Sequence, residues 1–201
     1  MDFQEQQRLY KVRNTVLEMI ADRGITVLPT LHISFEEFIQ LYEVKNLDIY
    51  IFDEEKNKKF YIHFFNDTKS FSKNNLKDLM KKLLDIYEDE TMHVILLLRD
   101  KENSMVTREL QKSIYMNVEI FYQPYMVINI TRHDFQPIFH LMTKDEEDEF
   151  LQKYNITKGK APKMLKTDPV AKYYGAKPDQ VFKITRRSGV SGEVNYYRVV
   201  K

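Results

Sequence analysis

Apolar residues recur at helical spacing over positions 3 to 22, where Leu9, Val12, Val16, Met19 and Ile20 share one face and Gly24 offers a stop. Ser34-Phe35-Glu36-Glu37 has the Ser-x-x-Glu form of a capping box, and it introduces Phe38, Ile39, Leu41 and Tyr42 as the stripe of a second, shorter helix. The period then changes. Leu47 to Phe52 and Lys59 to Phe65 are aromatic and β-branched runs on either side of the charged stretch Asp53 to Lys58, which predicts a β-hairpin. Residues 72 to 87 return to helical spacing, with Leu76, Leu79, Met80, Leu83, Leu84 and Tyr87 inward. Met92 to Leu98 is apolar on both faces, as a central strand covered by helices requires. A helix over 105 to 114 and a short strand over 117 to 121 follow. Alternation of helix and strand from 47 to 121 predicts an α/β domain with a mixed sheet.

Beyond Pro124 the pattern shifts again. Val127 to Ile130 reads as a connecting strand, and Thr143-Lys144-Asp145-Glu146 is a second capping box, opening a helix to about Tyr154. Asp168 is suited to cap a short helix that starts at Pro169 and ends at Gly175. Such a helix is far shorter than the dozen or so residues that stand alone in water, so tertiary contacts must hold it. After a Pro178-Asp179 turn, residues 181 to 186 read as a strand, 187 to 193 as a loop and 194 to 200 as the hairpin partner. We therefore expect two domains, an α/β domain over 1–130 and a small α+β domain over 131–201.

Composition narrows the chemistry. The 201 residues contain no cysteine, which excludes disulfides, thiolate zinc sites and cysteine nucleophiles. The longest apolar run, Val94 to Leu98, is strand-length, and the N-terminus lacks the basic and apolar regions of a secretory signal, so a soluble intracellular protein is expected. The net charge of +1 hides a division: residues 154–201 hold 11 Lys or Arg against 3 Asp or Glu, leaving the preceding part at −7. A positive C-terminal portion suits an acidic protein surface or phosphates, whereas a negative N-terminal portion disfavours a broad grip on DNA.

The run Asp168-Pro169-Val170-Ala171-Lys172-Tyr173-Tyr174-Gly175, with Val181-Phe182-Lys183-Ile184-Thr185-Arg186 and the closing Tyr197-Arg198-Val199-Val200, closely resembles the C-terminal assembly domain of the fifth shared subunit of eukaryotic nuclear RNA polymerases, a family with an archaeal RNA polymerase counterpart. Upstream, Ile128-Asn129-Ile130-Thr131-Arg132-His133, Met142 to Glu147 and Phe150 to Tyr154 are similar to further segments of that family, about 70 residues in order. The N-terminal likeness rests on layout and on Leu9 to Val16 with Asp22-Arg23-Gly24. Pro178-Asp179 replaces a family glycine. The family's Thr-Pro-Ser-Ala jaw motif is replaced by Glu102-Asn103-Ser104-Met105, which puts a carried-over DNA contact in question.

The resemblance implies a restriction-endonuclease-like N-terminal fold and a non-catalytic polymerase subunit. Its partners would be the largest subunit and other core subunits, with a weak, local contact to downstream duplex DNA at the lower jaw. No cofactor, metal, membrane contact or homo-oligomer is expected. Localisation would be nuclear for a cellular protein, and cytoplasm or virion for a divergent version from a large DNA virus.

Residues expected to meet the partner are Asp168, Pro169, Val170, Tyr173, Tyr174, Arg186, Tyr197 and Arg198, since aromatic and guanidinium groups concentrate at interface hot spots. Tyr196 and Tyr197 alternate in a strand, so one should be core and the other available. Lys73, Lys77 and Lys81 form a single helical stripe that suits a phosphate backbone or a solvated face equally, and with Asn103 and Ser104 they are the DNA-proximal candidates.

Two alternatives stand beside this reading. A Mg²⁺-dependent nuclease would need an Asp on one strand and Glu-x-Lys on the next; Asp48 is available, but Tyr61-Ile62-His63 supplies neither a carboxylate nor a lysine. A free-standing transcription regulator would use the same assembly fold outside the polymerase. The acidic run Asp145 to Glu149 fits the first turns of a helix better than a metal cluster. His63 and His93 read as packed imidazoles in strands, and His133 and His140 lack metal-ligand spacing.

Overall fold

The computed structural model describes residues 3–66, 71–87, 92–101, 104–112, 117–188 and 192–201. The chain divides into two units, Met1–Ile128 and Asn129–Lys201. No described helix is long and apolar enough to cross a membrane.

The first unit runs α1 (Phe3–Asp22), a 3-10 turn at Pro29–Leu31, α2 (Phe35–Glu43), β1 (Ile49–Asp53), β2 (Lys58–Phe65), α3 (Lys73–Tyr87), β3 (His93–Leu98), α4 (Ser104–Leu110), β4 (Val118–Tyr122) and a 3-10 turn at Gln123–Met126. The sheet order is β1-β2-β3-β4, with β1 antiparallel to β2 and the other pairs parallel, so the expected mixed sheet is present. Parallel strands joined by helical crossovers must be covered on both faces, and Val94 to Leu98 are all buried. On one face Val94, Leu96 and Leu98 pack with Leu76 and Leu83 of α3 and Val106 of α4. Leu79, Met80 and Tyr87 are only half-buried there, and Leu84, expected inward, is exposed. The other face buries Ile49, Ile51, Phe60, Ile62, Phe64, Ile95 and Leu97.

Polar side chains pin the helices to this sheet. Arg23 at the end of α1 makes a bidentate pair with Glu119 of β4, at 2.9 and 2.8 Å. The fully buried Gln123 donates to the carbonyls of Phe65 and Leu97 and to Asn66, while its own carbonyl accepts from Arg8 of α1. One neutral amide thus satisfies groups from two strand ends and a helix. Asp53, the last residue of β1, accepts from the backbone of Thr26 (2.8 Å) and Lys56 (3.0 Å), fixing the turn between β1 and β2 against the segment after α1.

The second unit contains a 3-10 turn at Ile130–Arg132, β5 (Ile138–Leu141), α5 (Lys144–Tyr154), β6 (Lys163–Met164), α6 (Pro169–Tyr173), β7 (Val181–Ser188) and β8 (Gly192–Val200). Its sheet order is β5-β7-β8-β6, and β7 and β8 form the expected hairpin. Two expectations are corrected here, and two strands are added. Val127 to Ile130 is not a strand: the Asn129 side chain accepts the backbone N–H of Thr131 and curls the chain into the 3-10 turn instead. The hairpin loop is shorter than 187 to 193, because Arg187 and Ser188 pair with Glu193 and Gly192. β5 and β6, unmarked in the sequence, flank the hairpin.

Both faces of this sheet are used. Phe182, Ile184, Val200 and Met164 pack with Val170, Ala171 and Ala176 around α6, while Val181, Val199 and Met142 pack with Phe150 of α5. Thr143 caps α5 in a reciprocal capping box with Glu146, as the sequence predicts. Asn155 ends the helix in the left-handed conformation (φ 48°).

Candidate partner-docking site

Five residues make α6, and each end is closed by a side chain or turn suited to it. The Asp168 carboxylate accepts from Val170 N at 2.9 Å, Pro169 occupies the first position, and Gly175 turns left-handed (φ 61°) so that Ala176 N reaches Ala171 O at 2.9 Å. So short a helix persists because its inner side is core. Val170 and Tyr173 are buried, and the Tyr173 hydroxyl accepts from Asn129 Nδ2 at 2.9 Å. Tyr174 donates to the Phe139 carbonyl at 3.3 Å and packs edge-on to Phe182. Asn129 ties the 3-10 turn to the far side of α6, which gives the Asn-Ile-Thr segment its structural purpose.

The opposite face is held by Glu147. Its carboxylate, in a residue only 6% exposed, accepts from Val181 N at 2.8 Å and pairs with Lys158 Nζ, stitching α5 to β7. Tyr197 stacks on Phe150 with centroids 4.1 Å apart, and Tyr154 lies against both rings. Burial pushes the Tyr197 hydroxyl pKa upward, with Tyr154 adding to it.

What remains outward is compact. Arg186 lies over the Tyr196 ring at 5.8 Å, and Arg198 Nη1 reaches the Lys163 carbonyl at 3.3 Å. These groups border an open groove of about 720 Å³, shared with Pro162, Met164, Ile184 and Tyr197. Tyr196 is 49% exposed. Guanidinium donors held by a ring and a carbonyl lose less freedom on binding a carboxylate than free side chains would.

The structure sorts the expected partner residues accordingly. Arg186, Arg198 and Pro169 are exposed; Asp168 caps; Tyr174 is half-buried; Val170 and Tyr173 are core. Of the two alternating tyrosines it is Tyr197 that packs inward and Tyr196 that faces out, so Tyr197 supports the surface from beneath. Reading the sequence left open which of Tyr196 and Tyr197 is core and missed Glu147 and Asn129 as key positions; the strand's parity was visible, but its phase was not.

In the first unit, Lys77 and Lys81 are exposed on α3, but Lys73 pairs with Glu109 of α4 at 3.1 Å. Glu109 is itself buried and also holds Lys112 at 2.8 Å, so among the described residues two of the three lysines in the stripe, Lys77 and Lys81, make no ion pair. Ser104 is exposed at the start of α4, and Asn103 lies outside the described residues.

Asp48 is fully engaged. Its carboxylate accepts from the Tyr61 hydroxyl (2.6 Å) and Phe64 N (3.0 Å), and His63 Nδ1 lies 2.8 Å away. Burial works to raise the Asp48 pKa, but His63, Tyr61 and the Phe64 amide together outweigh it and hold the carboxyl below its usual range. A carboxylate already committed to three such contacts is poorly placed to bind a metal, and among the described residues no group of three potential ligands is assembled. His63 is therefore a hydrogen-bond partner of Asp48 rather than a plain packing group; His93 does pack, stacked on Phe60. Of the acidic run, Glu146 caps the helix and pairs with His140. The Thr143 backbone N–H, followed by His140, pulls the Glu146 carboxyl to about 2.

Two family models match the chain, one described as RNA polymerase Rpb5, N-terminal domain, over residues 3–83, and the other as RNA polymerase Rpb5, C-terminal domain, over 128–200. Full-length relatives agree. The chain is 29% identical over 200 residues to the DNA-directed RNA polymerase subunit 5-like protein 1 of Arabidopsis thaliana, covering 95% of this chain and 94% of the relative. It is 27% identical over 197 residues to the rpabc1 subunit of DNA-directed RNA polymerases I, II, and III of Dictyostelium discoideum, covering 96% of each. The corresponding subunit of Caenorhabditis briggsae is 28% identical over 213 residues, covering 98% of this chain and 97% of that one.

Proposed function

The chain belongs to the Rpb5 family of RNA polymerase subunits, and we propose that it is a non-catalytic part of a multisubunit DNA-dependent RNA polymerase that docks through its second unit. The observation that carries this reading is the outward Arg186, Tyr196 and Arg198 group beside the groove. The partner is the largest polymerase subunit. The first unit, with the restriction-endonuclease-like layout implied by the family resemblance, braces the lower jaw beside downstream duplex DNA. There Lys77 and Lys81 supply a weak phosphate contact that reads no sequence. The engagement of Asp48 supports leaving chemistry to the large subunits. In a cellular setting the protein works in the nucleus.

The test is purification of the tagged full chain from its source. Recovery of the largest subunit at fixed stoichiometry, lost on Arg186→Glu with Arg198→Glu, is the expected result. Recovery of the chain without any polymerase subunit would instead identify a free-standing regulator and end the proposal.

A further inference from the structure

The second sheet is unevenly finished along one side. β8 has nine residues, but its outer neighbour β6 has two and pairs only with Val199 and Val200. Val199 N donates outward to Pro162 O and Lys201 N to Met164 O, both at 2.8 Å, whereas Val200 N turns to Gln180 O on the other side. In an extended strand the direction alternates, so the N–H and C=O of Tyr197, Asn195 and Glu193 also point outward. Among the described residues no backbone group meets them. Exposed sheet edges are usually shortened, bulged or blocked by proline. This one pairs with β7 without a bulge, is free of proline, and opens into the groove lined by Pro162, Met164, Asn195, Tyr196, Tyr197 and Arg198.

We infer that the outer edge of β8 is a strand-addition site, completed by an extended acidic segment of a partner polypeptide that takes up the line of β6 where β6 stops. The inference rests on the docking reading above and specifies its mode. Residues along an added strand alternate between the sheet's two faces. One set meets Tyr196, Arg198 and Arg186, where carboxylates complete the forked donors. The other set lies beside the Tyr197, Tyr154 and Phe150 rings, where apolar side chains fit. Charge agrees, since residues 154–201 carry 11 basic against 3 acidic groups. The occupant is thus a segment alternating acidic and apolar residues, held mainly by main-chain bonds.

Hydrogen exchange on the full chain, free and within the assembled polymerase, tests this at single-amide resolution. The amides of Glu193, Asn195 and Tyr197 should slow by about tenfold or more on assembly, while those of Val194, Tyr196 and Arg198, already facing β7, change little. A variant pair gives a second reading. Asn195→Pro removes an outward N–H at an edge position, where proline is tolerated, and should abolish co-purification with the largest subunit; Asn195→Ala keeps that N–H, loses the side-chain bond to Thr185, and should retain far more of the co-purification than Asn195→Pro. If the unaltered chain does not co-purify with the largest subunit, the docking reading itself fails. If it does, and the odd-numbered amides exchange as fast in the polymerase as in the free chain, strand addition alone is overturned. The exchange result decides the matter should Asn195→Pro not fold.

Discussion

Replacing Glu147 tests whether the second unit is held together as described. Glu147→Ala removes the acceptor of Val181 N–H, a group on a residue with no solvent exposure, and breaks the pair with Lys158. Stranding a buried N–H costs about 1–3 kcal/mol, and breaking a buried ion pair by deleting one partner costs about 3–5 kcal/mol. The second figure must be reduced, because the Lys158 side chain is 32% exposed and keeps its bond to the Asp179 carbonyl, so the remaining cation is neither dry nor alone. Since the two costs overlap at the same carboxylate, we expect a loss of about 3 kcal/mol. Glu147→Gln keeps an oxygen facing Val181 N and loses only the charge, for which about 1 kcal/mol is expected. The readout is urea unfolding followed by hydrogen exchange in the peptide covering 181–188, which reports this unit separately from the first. For a unit of this size each 1 kcal/mol moves the melting temperature by about 4–8 °C, so Ala and Gln should be separable thermally as well. Equal destabilisation by Ala and Gln would refute the assignment of the N–H bond as the larger contribution.

Three further outcomes follow from the geometry. Asp168→Ala should cost about 1 kcal/mol through the lost cap and, because α6 has only five residues, should raise proteolysis between 165 and 176, read by limited digestion. The first unit should lose stability as pH falls: Asp48 is held below its ordinary pKa of 3.8, so its contribution is complete above that value and drains away as pH descends through the lower folded-state value. Asp48→Asn should therefore melt lower at neutral pH and show a shallower fall between about pH 5 and acid than the parent, measured by thermal scans across pH. Finally, Lys77→Ala with Lys81→Ala should weaken downstream-DNA crosslinking in the assembled polymerase and reduce its log-salt slope by about 2, as expected for two phosphate contacts; an unchanged slope would reduce these lysines to a solvated face.

Features set by neighbours in sequence are readable in advance. Ser34 and Thr143 announce their helices because a capping box needs only residues three apart, and Asp168-Pro169 with Gly175 marks α6 for the same reason. What the sequence hides depends on partners far along the chain. β6 has two residues and therefore no alternation to detect. Val127 to Ile130 has strand composition, but the Asn129 side chain captures a backbone N–H two residues on and the competing turn wins. Lys73 looks identical to Lys77 and Lys81 until Glu109, 36 positions later, folds back to it. At the candidate docking surface, alternation shows that one of Tyr196 and Tyr197 is buried, yet the choice depends on Phe150 in α5, which no local pattern reveals. Asp48 stands out in the sequence as a lone carboxylate; that Tyr61 and His63 are its partners, not failed metal ligands, requires the sheet register that sets Tyr50 opposite Tyr61.

The sheltered strand β3 has a cost in biosynthesis. Its run Val94 to Leu98 is uncharged, proline-free and entirely apolar, and its native neighbours β2 and β4 reach it only after the crossovers through α3 and α4 have closed. Such parallel pairings form slowly compared with an adjacent hairpin like β7 and β8. During that interval the same five residues form a sticky segment able to nucleate aggregates between nascent chains. Production of this protein should therefore be limited by chaperone supply at that step, and a single charged substitution placed in β3 to improve solubility would unfold the sheet it was meant to protect.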